Sequence, residues 1–212
     1  MHHTTSPTPH WCVATVHAVA RQRKVDEVVS ALGFAQPEMK RCFGANACIV
    51  ATRVAVEVLR ACNIRAQPLP VHVEVFNAAA AAHVEAGRSH LVKSDPAAWS
   101  ARLGFTGETQ ADGLLDAHVV AVVQDEMLVD LTLDQCTAPE RGVLLSPGVF
   151  YGLPKGFTNG GRQSYPVNDG CVVVYEAHPE EKTFFSTPDW TDRVRRQPFV
   201  DATLARIGAV AG

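Results

Sequence analysis

Gly44-Ala-Asn-Ala-Cys-Ile-Val-Ala-Thr-Arg-Val-Ala-Val-Glu-Val-Leu-Arg-Ala-Cys-Asn-Ile64 is the stretch around which the chain is organised. Apolar residues recur at Ile49, Val50, Val54, Val56, Val58 and Leu59, with Ala51, Ala55 and Ala61 between them. The charged residues Arg53, Glu57 and Arg60 fall at spacings of four and three, on one face. That pattern predicts a core helix with a thin polar stripe. Asn46 is its candidate N-cap, because an Asn side-chain oxygen accepts a backbone N–H left unpaired at a helix start. Cys48 then falls in the first turn, at the positive end of the helix dipole. That position favours the thiolate, which is the nucleophilic form of the side chain.

The chain outside this helix is ordinary in bulk. Its 212 residues are 47% hydrophobic and 19% charged, which suits one globular domain with a core of its own. A net charge of −3, with no basic run and no aromatic–basic interleaving, argues against a nucleic-acid partner. No apolar segment reaches the roughly 20 residues that span a bilayer, so no membrane partner is expected. Residues 1–9 are polar with two prolines and read as a disordered N-terminus, leaving residues 10–212 as a single domain. They lack a basic region followed by an apolar one, so the expected location is the cytoplasm, where thiols stay reduced. Six cysteines (Cys12, Cys42, Cys48, Cys62, Cys136 and Cys171) are spread along the chain without a Cys-x2-Cys pair, so neither metal nor cofactor is expected.

Upstream of Cys48, apolar spacing from Trp11 to Leu32 predicts a helix from about Pro9 that stops at Gly33, followed by a connector to Phe43. Downstream, Pro68–Asn77 alternates apolar and polar and reads as a strand, and Ala78–Ala86 as a short helix. Residues 87–113 and 137–169, rich in Gly and Pro, read as irregular segments that would carry substrate contacts. Within the second of these, Gly156–Arg162 reads as an exposed loop. Cys171–His178 reads as a further strand, and Pro188 to about Ile207 as a C-terminal helix.

The second informative stretch is Asp116-Ala-His-Val-Val-Ala-Val-Val-Gln-Asp-Glu-Met-Leu-Val-Asp-Leu-Thr-Leu-Asp-Gln135. Two apolar runs flank Gln124-Asp125-Glu126, which predicts a β-hairpin. Centred on Gln124, it sets His118 directly opposite Asp130 on the same face. A cysteine nucleophile needs an imidazole to move its proton and a third group to orient that imidazole. Cys48, His118 and Asp130 supply these in chain order, with Asp134 as the substitute carboxylate. The Cys48 backbone N–H supplies one oxyanion donor, and Asn46 and Gln36 are candidates for the second. Cys42 is the rival nucleophile; the other four cysteines read as core residues. His72, His83, His90 and His178 have no partner that the sequence identifies.

At these residues the chain resembles the transglutaminase-like branch of the papain-like cysteine-enzyme superfamily. The resemblance covers about residues 44–136. It lies in the Asn-Ala-Cys helix start, Asn63-Ile-Arg-Ala-x-Pro-Leu-Pro-Val71, His118-Val-Val-Ala-Val-Val123 and Leu128-Val-Asp-Leu-Thr-Leu-Asp-Gln135. Ala47 and Cys136 stand where members of that group often have aromatic residues. The resemblance implies an α+β fold with a papain-like, transglutaminase-type core, in which a Cys-bearing helix packs on an antiparallel sheet carrying His and Asp, here with extra N- and C-terminal helices. It implies a Cys48–His118–Asp130 triad acting through a thioester on a protein, peptide or small acyl or amide substrate. Resolution by water makes a thiol peptidase or deamidase, and resolution by an amine makes a transglutaminase or acyltransferase. The alternative is a silent binding or accessory protein on the same fold.

Overall fold

The computed structural model describes residues 10–44, 47–104, 118–146 and 148–210. The expectations for residues 1–9, for Asn46 and for Asp116 lie outside them. The fold is α+β. Helices α1 (His10–Phe43), α2 (Ala47–Ala61) and α5 (Arg193–Val210) pack together on one face of an antiparallel sheet, with the short helices α3 (Ala78–Glu85) and α4 (Pro188–Thr191) at its margins. The strands are β1 (Ala66–Phe76), β2 (Ser100–Leu103), β3 (His118–Val123), β4 (Met127–Asp130), β5 (Val149–Gly152), β6 (Arg162–Pro166) and β7 (Val172–Ala177). Their order is β5-β4-β3-β1-β7-β6, and every pairing is antiparallel. The eleven residues of β1 are long enough to pair with β3 along Ala66–Val71 and with β2 along Val73–Phe76, end to end on one edge.

Helix α2 is apolar nearly all round, and ten of its fifteen residues are buried. A helix of that kind is stable only when covered on most sides. Ala121, Val123 and Val129 of the sheet lie beneath it; Val28, Leu32 and Met39 of α1 and Val200 of α5 flank it. Arg53, Glu57 and Arg60 lie on its outer side, and Arg53 Nε sits 2.7 Å from Glu57 Oε1 one turn on.

The other face of the sheet is concave. The order puts β5 and β6 at opposite edges, yet Tyr151 of β5 stacks on Tyr165 of β6 at 4.2 Å. The Tyr165 hydroxyl also donates to the Gly152 carbonyl at 2.8 Å. The sheet therefore curls until its two edges meet through side chains, an incomplete barrel filled by Val71, Val73, Val120, Val122, Leu128 and Tyr175 and sealed by Leu133, Val143 and Phe157.

Several expectations need correcting. Helix α1 does not stop at Gly33; it runs 34 residues, through Pro37, to Phe43. Buried positions continue at the 3–4 spacing across the supposed connector (Val25, Val28, Val29, Leu32, Gln36, Met39), and that packing outweighs two weak helix formers. Strand β2 lies within the segment read as irregular, and Arg162 of the supposed exposed loop begins β6. Phe157 of that loop is buried in the barrel. The C-terminal helix is two helices, broken at Asp192, whose ψ of 94° is not helical. Met39→Ala is expected to lower unfolding stability by about 2–5 kcal/mol in urea titration, as for a core helix residue. A loose connector would give a change near zero.

Candidate functional site

Cys48 is the second residue of α2. Its backbone N–H lies among the first four of the helix, which have no intrahelical acceptor. The side chain is half-buried and packs against Ile49, Val119, Phe184 and Trp190. One turn along the helix, the Thr52 hydroxyl donates to the Val119 carbonyl at 2.7 Å, in a contact with almost no solvent access. Val119 adjoins His118. One hydrogen bond therefore fixes the start of α2 against the start of β3, where the two side chains of interest emerge.

The hairpin β3–β4 forms, but its turn is centred one residue later than expected, so each residue's partner is shifted by two. Ala121 pairs with Val129, Val122 with Leu128 and Val123 with Met127. The turn is centred on Asp125, with Gln124 and Asp125 both at positive φ (56° and 61°) and the Glu126 N–H closing on the Val123 carbonyl. Continued outward, this register puts Asp130 opposite Val120, two positions from His118. A two-position offset keeps both side chains on one face, so they meet diagonally rather than head-on. His118 Nε2 lies 2.9 Å from Asp130 Oδ2, with both side chains buried. The Cys48 thiol lies beside the imidazole and favours its charged form. With Nε2 turned to Asp130, the ring nitrogen left for the sulfur is Nδ1. Cys48, His118 and Asp130 form one connected set.

Asp130 is more fully bound than a hairpin register can show. Its Oδ1 accepts the Thr132 backbone N–H at 2.8 Å and the Thr132 hydroxyl at 3.3 Å. Its Oδ2 accepts the Tyr175 hydroxyl at 3.0 Å besides the imidazole. Burial opposes its charge, but His118 and these donors outweigh burial and hold the carboxyl below the usual range. For His118, burial again opposes the charge; Asp130 and then Cys48 outweigh it, so the imidazole holds its proton above the usual histidine range. The Tyr175 phenol is pushed well above its usual value by burial and by the charge on Asp130, and it stays a donor.

The remaining candidates fall elsewhere. Asp134, the substitute carboxylate, takes the Lys40 ammonium at 2.6 Å and the Gln36 amide at 3.2 Å. Gln36 is thus committed to tying α1 to the turn after β4, and its amide is not directed to an oxyanion. Cys42 is exposed beside Glu38 and Arg41, at the far end of α1. Cys136 and Cys171 are buried; burial and the charges of Asp130 and Asp134 push the Cys136 thiol up to about 12. His83 pairs with Asp95 at 2.8 Å, and His72 stacks on His178, which faces Glu176 and Glu180. Tyr175, Thr132 and Thr52 are site residues that the sequence reading did not single out. For Tyr175 a signal was present: a hydroxyl-bearing residue in an otherwise Val-rich central strand needs a buried partner. Thr52 carried a weaker signal of the same kind, as the one hydroxyl in an apolar helix.

Among the described residues, no three His, Cys, Asp or Glu side chains converge as a metal-ligand set. No described helix is long and apolar enough to cross a membrane. Compared with known protein families, with curated proteins and with solved structures, the chain finds no match.

Thr52→Val leaves the Val119 carbonyl without its hydroxyl partner. The expected cost is about 1–2 kcal/mol in urea titration, recovered in Thr52→Ser. The His118–Asp130 pair also gives a pH signature. The folded-state value of Asp130 is lowered, so its contribution is present above about pH 3.9 and is lost as pH falls toward the folded value. The folded-state value of His118 is raised, so its contribution is full below about pH 6.5 and is lost as pH rises through the folded value. The stability gap between wild type and Asp130→Asn, from denaturation at a series of pH values, is therefore expected to be widest between about pH 4 and 6.5 and to narrow on the alkaline side.

Proposed function

We propose that this chain is a cysteine-nucleophile acyl-transfer enzyme of the transglutaminase-like, papain-like kind, acting on an amide or acyl group of a protein, peptide or small molecule. One observation carries the reading: a half-buried thiol at a helix start lies beside an imidazole that is held by a buried, four-fold hydrogen-bonded carboxylate. A structural cysteine needs no such partner. The order Cys, His, Asp along the chain, and a Cys-bearing helix lying on the sheet that carries the other two, are what the resemblance implied.

In this mechanism the Cys48 proton passes to His118 Nδ1, and Sγ adds to the carbonyl carbon of R–CO–NH–R′. The charge on the carbonyl oxygen is met by the Cys48 backbone N–H, which is oriented before the reaction begins. His118 returns the proton to the departing nitrogen. The C–N bond breaks, H2N–R′ leaves, and the thioester R–CO–S–Cys48 remains. Water or a second amine then gives its proton to His118 and attacks the thioester, and the proton goes back to the sulfur. Water yields the acid and an amine yields a new amide. Asp130 keeps its charge throughout, because four donors surround it. Its role is to fix the imidazole and to stabilise the imidazolium.

The test is iodoacetamide alkylation at pH 6 with peptide mapping by mass spectrometry. Cys48 is expected to react ahead of the more exposed Cys42 and of Cys62. His118→Ala is expected to slow Cys48 by about a hundredfold or more and leave Cys42 unchanged. A Cys48 that stays inert, or that ignores the loss of His118, overturns the assignment.

A further inference from the structure

Asp130 Oδ2 has two donors, and they compete. His118 Nε2 approaches it at 2.9 Å and the Tyr175 hydroxyl at 3.0 Å. Tyr175 comes from β7, three places from β4 in the strand order, and reaches Asp130 because the sheet curls. It is fully buried, its ring packs in the barrel core beside Tyr151 and Tyr165, and its O–H is spent on this oxygen alone. A phenylalanine would fill the same space. The hydroxyl is therefore not needed for packing, and a buried phenol aimed at a carboxylate points to an electrostatic task.

We propose that Tyr175 is a positioning residue for the His118–Asp130 pair: its neutral O–H takes up part of the charge on Oδ2, limits how firmly Asp130 holds the imidazolium, and so sets the pH at which His118 gives up its proton. This builds on the acyl-transfer reading, in which His118 must both accept a proton from the thiol and release it to a leaving group. An imidazolium held too firmly would do the first and fail at the second. Thr132 holds Oδ1 with its N–H and hydroxyl and so keeps the carboxylate from rotating, which leaves Oδ2 as the atom where charge is shared.

Among the described residues, the ionisable groups around the pair are few. Cys48 of α2 faces the imidazole. Tyr175 of β7, Tyr151 of β5 and Cys136 of the turn after β4 face Asp130. Asp134 acts on Cys136 and lies one step further out. Burial and the Asp130 charge push Tyr151 and Cys136 up to about 12, and Tyr175 stays protonated above its usual range, so these three hold their protons to a higher pH than His118, which is raised to about 10.

The experiment is the titration of the His118 imidazole by NMR in labelled full-length protein, assigned with His118→Gln, alongside the pH profile of Cys48 alkylation. Tyr175→Phe is expected to raise the His118 midpoint by about half a pH unit or more and to move the alkaline limb of the alkylation profile the same way. Replacement of Tyr175 by 3-fluorotyrosine keeps the fold and makes the phenol a stronger donor, so the midpoint is expected to fall. A purely structural role cannot reverse sign between the two replacements. Unchanged midpoints, or shifts of one sign in both, overturn the proposal. If Cys48 alkylation depends on His118 but the midpoints do not move, only the Tyr175 proposal falls. If the midpoints move as expected while Cys48 is inert, the acyl-transfer reading falls and the Tyr175 proposal stands.

Discussion

A buried carboxylate is tolerable only if its charge is met on every side, and Asp130 dictates much of what surrounds it. Moved out of water without partners, such a group costs several kcal/mol or takes up a proton. Here it has an imidazole, a phenol, a hydroxyl and a backbone N–H, drawn from β3, from β7 and from its own strand end. Each donor has to arrive within hydrogen-bond distance, and that fixes three separate things. The hairpin register must keep His118 and Asp130 on one face. The chain after β4 must turn at once, so that Thr132 can fold back. The sheet must curl far enough for β7 to reach β4. The closing of the barrel edges by Tyr151 and Tyr165 belongs to the same constraint.

Cys48 stands on the other side of the sheet from this cluster. Strand alternation sends His118, Val120 and Val122 into the barrel and Val119, Ala121 and Val123 toward α2, so Cys48 and Asp130 approach the imidazole from opposite layers. That is possible only at the end of a strand, where a side chain is not walled in by its neighbours. It explains why His118 is the first residue of β3 and Cys48 the second of α2. The bond from Thr52 to the Val119 carbonyl holds the two ends in step. Behind it, Arg196 of α5 ties Glu57 of α2 at 3.1 Å and the Trp190 carbonyl at 2.9 Å, so the C-terminal segment braces the same helix and the aromatic residues beside the thiol. Arg53 completes this corner by lying over the Trp190 ring.

The long α1 shows how packing outranks local signals. Gly33 and Pro37 read as a stop, and by intrinsic propensity they are poor helix residues. The apolar spacing through Leu32, Ala35, Met39 and Phe43 was nonetheless in the sequence, and it is the stronger term once α2 and α5 supply a surface to bury it against. Gln36 entered the sequence reading as a possible oxyanion donor because it is a polar residue close upstream of the thiol. The structure gives it a different use. A buried amide needs a partner, and Asp134, already drawn in by Lys40, is the one within reach.

By itself the sequence determined the α+β class, the buried helix beginning near Cys48, strand β1, the β3–β4 hairpin, and the three residues that would form a connected set. Those features rest on short-range periodicity and on residue types, which a chain carries whatever its partners. The tertiary structure alone decided the register that makes His118 and Asp130 diagonal neighbours, because that depends on which turn residues accept positive φ. It alone decided the continuation of α1, the strands hidden in glycine- and proline-rich segments, and the curl of the sheet. It alone brought Tyr175 to an oxygen 45 residues earlier in the chain. No spacing rule links residues on strands that meet only because a sheet has curled, so the fourth member of the site became visible only in three dimensions.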